Sequence, residues 1–97
     1  MYARSITGHV EAGMLGEAVR VYRDEVLPVA RQQRGFKGAY LLVDEASGKY
    51  QSITLWDTEN AMREGTETGY LRMQLAKITA TFAGPATVDY YTVEAQG

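Results

Sequence analysis

The chain has no cysteine, which removes disulfides, zinc–thiolate sites and cysteine nucleophiles together. A single histidine, His9, remains for metal work, and one imidazole among scattered carboxylates falls short of the ligand clusters that transition metals prefer. No metal site is expected, and His9, in a loop after the first strand, reads as a solvated side chain. No apolar run approaches the roughly 20 residues that cross a bilayer. The N-terminal residues lack a basic-then-apolar leader, so a cytoplasmic protein without a membrane partner is expected. Lys and Arg stand singly and the net charge is −2, which leaves no electrostatic footprint for a phosphate backbone and argues against nucleic acid. Gly8, Gly13 and Gly16 do not stand in the order of a phosphate-binding loop. Internal repeats and low-complexity segments are absent as well.

What is present is 97 residues of ordinary globular balance, 45% hydrophobic and 23% charged, read as one domain over 1–97. A chain this short buries only about 60 to 65% of its extended surface, so added core from a second copy would be useful. Tyr2 to Thr7 reads as a first strand ending at Gly8. From Met14 to Gln33, Leu15, Val19, Tyr22, Val26, Val29 and Ala30 follow helical spacing, with a bend or break expected at Pro28, whose nitrogen cannot donate to the Asp24 carbonyl. Gly35 is expected to close that helix. Phe36 to Val43 is apolar on both faces, the mark of a strand covered on both sides. The turn residues from Asp44 to Gly48 then lead into a strand at Tyr50 to Trp56.

Asp57 or Thr58 can cap a short helix, and Gly65 and Gly69 loosen the chain before a second helical run carrying Leu71, Leu75, Ile78 and Phe82. That run stops at Gly84-Pro85, and a last strand covers Thr87 to Val93. The order is βαββαβ, an α+β, ferredoxin-like arrangement with a four-stranded antiparallel sheet. Two helices cover one sheet face. The other would expose more apolar area than a monomer normally shows, so a homodimer is expected.

With that order in hand, the segments YRDEVLPVARQQRGFKGAYLLVD and ITLWDTENAM resemble the antibiotic-biosynthesis monooxygenase-like family of dimeric α+β barrels, over nearly the whole chain. The resemblance implies one of several activities, cofactor-free monooxygenation of polyphenolic, anthrone-like substrates among them, with no cofactor required. In those oxygenases a tryptophan closes the third strand, an asparagine stands four residues earlier and a tyrosine six later. Here Trp56 matches, Ser52 takes the asparagine place and Met62 the tyrosine place. Trp56 and Ser52 are therefore the candidate catalytic residues. Tyr50, Met62, Tyr70 and Thr7 are candidate substrate-binding positions, with Tyr50 or Tyr70 able to supply the missing phenol. The heme-degrading members resemble the chain less. Thr7 and Gly65 stand near two of their positions, and no histidine follows His9.

Each candidate also has a plainer reading. Trp56, at a strand end before a helix, can be core filler or pocket wall, and Ser52 can be an unremarkable strand serine. Asp44 and Glu45 read as solvated turn formers rather than an acid–base pair. The stretch from Gly65 to Tyr70 can be a lid or a simple break between helical pieces. Two functions follow: an oxygenase or related enzyme acting on an aromatic or quinone-like small molecule, or a non-catalytic dimeric barrel that binds a ligand or serves in stress.

Overall fold

The computed structural model describes residues 1–64 and 68–97 in full and residues 65–67 by backbone alone. Four strands, β1 (Tyr2–His9), β2 (Phe36–Asp44), β3 (Lys49–Trp56) and β4 (Thr87–Thr92), form one sheet in the order β2-β3-β1-β4. Every neighbouring pair is antiparallel. The helical segments are α1 (Leu15–Val21), a π-helical turn (Tyr22–Val26), α2 (Leu27–Ala30), α3 (Glu59–Thr68) and α4 (Tyr70–Thr79). This is the ferredoxin-like α+β arrangement that the order of elements predicts.

Alternation along β3 sorts the sheet into two faces. Tyr50, Ser52, Thr54 and Trp56 are all buried, and they pair with Gly8, Ile6, Arg4 and Tyr2 of β1, so these eight positions form the central floor under the helices. A first core cluster gathers Ile6, Tyr22, Val26, Tyr50, Ile78 and Phe82. A second, at the other end of the sheet, gathers Ala30, Trp56, Ala61, Met62 and Tyr70. The Phe82 ring lies so close over Gly8 that a Cβ there would collide with it, so the absence of a side chain on β1 is what lets this ring in.

The interruption expected at Pro28 takes the form of a π-helical turn just before it, after which helicity resumes in α2 and ends at Ala30. A proline at position 28 leaves the Asp24 carbonyl without its usual donor, and an i→i+5 bond from the Leu27 N–H to the Tyr22 carbonyl absorbs the mismatch upstream. Gly35 has φ +79° but lies beyond a turn, directly before β2, and its carbonyl accepts from the Asp57 N–H at 2.8 Å. Thr58, rather than Asp57, caps α3, accepting from the Ala61 N–H at 3.0 Å. The joint expected somewhere in 65–70 is Gly69, left-handed at φ +80°, which ends α3 and starts α4. The Gly65 part of the lid reading, and the Gly65 comparison with heme-degrading relatives, lie outside the fully described residues.

The strand expected to be covered on both sides, β2, is the sheet edge, and within one chain it is the most open strand of the central hairpin. On the face away from the helices Tyr40 is 62% and Leu42 49% exposed, and Tyr91 of β4 is 56% exposed. The helices also stop short of Val43 on the covered face. The apolar pattern of β2 therefore serves two surfaces: Phe36 and Leu41 pack against the core under the helices, while Tyr40 and Leu42 lie on surface that the single chain leaves uncovered.

Candidate functional site

The tryptophan that ends β3 organises the covered face. Trp56 is 1% exposed and makes edge-to-face contacts with Phe36 at 5.6 Å and Tyr70 at 6.5 Å between ring centroids. Its indole N–H donates to the Thr54 hydroxyl at 2.9 Å, two residues along the same strand face. Met62, one turn into α3, is equally buried in the same cluster. Tyr70 stands at the first position of α4, immediately after the left-handed joint, and that joint aims its ring at Trp56.

Four residues back along β3, toward the middle of the sheet, Ser52 is buried and its hydroxyl shares a 2.8 Å hydrogen bond with the Tyr22 hydroxyl. Tyr22 is the first residue of the π-helical turn, so the local widening that Pro28 demands also sets the angle at which this phenol enters the core. Burial pushes the Tyr22 phenol above its ordinary pKa, and the bond from Ser52 only partly offsets this. Tyr50 sits farther down β3. It packs edge-to-face on Phe82 at 4.9 Å and Tyr22 at 6.4 Å, with its own pKa driven strongly upward by burial.

One residue of this site carried no signal that the sequence reading used. Arg4, in the middle of β1, is 3% exposed. Its guanidinium lies 5.1 Å from the centroid of the Trp56 ring and 5.9 Å from that of Tyr70. Its Nη1 donates to the Met62 carbonyl at 3.0 Å, while Nε has no partner among the described residues. Burial lowers its pKa and the neighbouring tyrosines work against that shift. Gln74, one turn beyond Tyr70 on α4, is also 3% exposed, and neither atom of its amide has a partner among the described residues. A charged residue in the alternating run from Tyr2 to Ile6 was the available clue, since its place on the Ile6 face required burial.

The expected site residues thus divide into three groups. Trp56, Met62 and Tyr70 come together around Arg4. Ser52 stands nearby on the same face but is tied to Tyr22, and Tyr50 belongs to the other core cluster, so a single cleft lined jointly by Trp56, Ser52 and Tyr50 is not what the chain builds. Thr7 lies on the opposite sheet face, because β1 alternates and Ile6 takes the helix side. There it borders an open hollow of about 550 Å³ with His9, Leu42, Asp44, Lys49 and Gln51. His9 is exposed, and Asp44 spends its carboxylate on the turn, accepting from the Ala46 N–H and the Ser47 hydroxyl. Among the described residues no group of three or more His, Cys, Asp or Glu is placed to hold a metal ion, and no helix is long and apolar enough to cross a membrane. Beside Trp56 and Tyr70 the free space is a cleft of about 50 Å³, reaching Gln33 and Ala61.

No family model matches the chain. Two uncharacterised proteins of Mycobacterium tuberculosis are similar to it, one 32% identical over 94 residues and the other 33% identical over 67. Those stretches are 96% and 69% of this chain, yet only 39% and 30% of the relatives, so the chain spans well under half of the proteins it matches. Solved structures agree closely in shape. The cofactor-independent oxygenase SnoaB of Streptomyces nogalater superposes with TM-score 0.80 at 16% identity, over 98% of this chain and 94% of that one. A monooxygenase of Streptomyces coelicolor, solved with nanaomycin D, gives 0.79 at 16% identity over 98% and 88%. An antibiotic biosynthesis monooxygenase gives 0.75 at 19% identity over 98% and 100%. The chain therefore has the antibiotic biosynthesis monooxygenase fold, the fold its resemblance implied.

Proposed function

We propose that this chain, built on the fold of the antibiotic biosynthesis monooxygenases, acts on an aromatic or quinone-like small molecule at the Trp56 end of its interior, as a cofactor-independent oxygenase working as a homodimer in the cytosol. The observation that carries the reading is the Trp56–Tyr70 corner: two buried rings at the end of β3, with an unpaired donor of Arg4 beside them, in a fold shared with oxygenases of that kind. The overall reaction would convert a ring methylene to a carbonyl. Two C–H bonds break, one oxygen atom of O₂ enters the product, and the other leaves as water with the two hydrogens, the substrate supplying all the electrons. Ligand sites usually measure about 300 to 1,000 Å³, whereas the cleft here is about 50 Å³. Binding on this reading requires Tyr70 to swing away, and Gly69 is the joint beside it that can absorb the change.

The homodimer is supported by the bare sheet face. Tyr40, Leu42 and Tyr91 are the exposed part of a patch that Ile53 and Leu55 continue across β3. A two-fold pairing of that face with itself would bury it.

A second reading, a non-catalytic barrel that only binds its ligand, is favoured by the hydrogen bonding. The Ser52 hydroxyl and the Trp56 N–H are both satisfied inside the chain, and Met62 offers no polar group where the oxygenases have a phenol. Oxygen uptake with anthrone separates the two. Saturable uptake that Trp56→Phe abolishes in a folded protein supports the oxygenase; binding of anthrone with no uptake leaves the binding protein, and neither binding nor uptake overturns both.

A further inference from the structure

Arg4 stands apart from the cations that this chain pairs on its surface. Arg20 pairs with Glu17 and Glu25, Arg23 with Asp24, and Arg63 with Glu59, all in exposed positions. Arg4 is the buried one, and among the described residues no carboxylate faces it. Taking a guanidinium out of water carries a heavy desolvation penalty, which contact with an aromatic ring and one hydrogen bond to a carbonyl offset only in part. An apolar side chain of similar size would fill the same space without that cost, so packing alone does not account for an arginine here.

Inside the covered face Tyr22 and Ser52 satisfy each other, and Trp56 is satisfied by Thr54. Among the described residues the fully enclosed polar atoms without a partner are Arg4 Nε and both amide atoms of Gln74, each residue more than nine-tenths buried. Tyr70 connects the two, lying under the guanidinium and one helical turn before Gln74. A cation fork, an amide with one donor and one acceptor, and two aromatic walls make a set that matches a flat ring bearing an anionic oxygen next to a neutral carbonyl.

We propose that Arg4 is the specificity-determining residue of the interior site, selecting an aromatic ligand that is already ionised at neutral pH, of the hydroxyquinone or acidic enol class, with Gln74 meeting the adjacent carbonyl. The proposal rests on the reading that the Trp56 corner receives an aromatic molecule. It adds the charge of that molecule and the residue that reads it. A neutral ring of the same shape would leave the buried cation without its counter-charge and is disfavoured for that reason.

Trp56 is the only tryptophan of the chain, so its fluorescence reports occupancy of this corner directly. The probes are the hydroxynaphthoquinone lawsone, an anion at neutral pH, and its O-methyl ether, which has the same rings and no charge. Wild-type protein is expected to bind lawsone about 10- to 100-fold more tightly than the ether, the worth of a charge-assisted hydrogen bond. Arg4→Met is expected to keep the weak ether binding, lose the preference, and melt at or above the wild-type temperature, as a cation held for a ligand should. Equal quenching of wild type by both probes overturns the role of Arg4 and leaves the aromatic site standing; no quenching by either overturns both. A lowered melting temperature for Arg4→Met with the preference retained shows a structural cation and also overturns the proposal. Should that variant not fold, Arg4→Gln supplies the neutral comparison, and the two wild-type affinities decide by themselves.

Discussion

The two faces of the one sheet invert the usual rule of inside and outside. The covered face hides a guanidinium, an amide and three phenols, while the bare face shows Tyr40, Leu42 and Tyr91 to solvent. Both are departures that cost free energy in an isolated chain, and they have different remedies. Exposed apolar area is relieved by any well-shaped partner surface, because the hydrophobic effect is non-directional. A buried cation that its rings and one carbonyl compensate only in part is relieved fully by a group of opposite charge at the right place. The bare face therefore supports the proposed second protomer, and the covered face the proposed ligand.

The largest test of that contrast is Trp56→Ala. If the covered face is first of all a core, removal of this fully buried ring costs about 3 to 5 kcal/mol in urea unfolding. A cost under about 1 kcal/mol would mean that the ring walls an open cavity. Next in size is a charge on the bare face. Tyr40→Asp together with Leu42→Asp should raise a dimer dissociation constant on the order of 100-fold, since a two-fold interface sets like charges near each other. Sedimentation velocity over a dilution series reads this, and an unchanged assembly would show that the face is not the interface.

A smaller effect lies at the edge of the covered face, where Thr58→Ala removes the side-chain cap of α3 and should cost about 1 kcal/mol in the same urea titration. The mildest test is alkali. Tyr22, Tyr50 and Tyr70 all have phenol pKa values raised by burial above the ordinary value near 10. Above that value the unfolded chain loses these protons first and so binds fewer than the native state. Stability is then complete below about pH 10 and falls as pH rises toward the native pKa values. A spectrophotometric titration is therefore expected to show a group of phenols that ionise only above the ordinary value. A single group at the ordinary value would contradict the burial.

Much of the fold could be read directly because its signals are local. The alternation of Tyr50, Ser52, Thr54 and Trp56 against Ile53 and Leu55 defines the two faces of β3, and the Asp44–Gly48 turn sets the hairpin. Gly84-Pro85 separates the last helix from β4. The site was legible only in part. Trp56 was marked by its place at the end of β3, but its neighbours come from elements 14 and 52 residues away, Tyr70 by way of α4 and Arg4 by way of β1. Thr7 was misplaced because one step along a strand reverses the direction of a side chain, and only the pairing Ile6↔Ser52 shows which parity of β1 lies under the helices.

The sequence by itself determined the order of elements, the hairpin, the capped helix after Trp56 and the excess of apolar strand surface, since each depends on neighbours within a few residues. Tertiary structure alone decided that Pro28 is met by a π-helical turn that carries Tyr22 to Ser52, and that Arg4 lies between Trp56 and Tyr70 with its Nε unpartnered among the described residues. Whether a polar group is satisfied depends on atoms distant in the chain that packing brings within about 3 Å of it, and such distances are set by the fold as a whole.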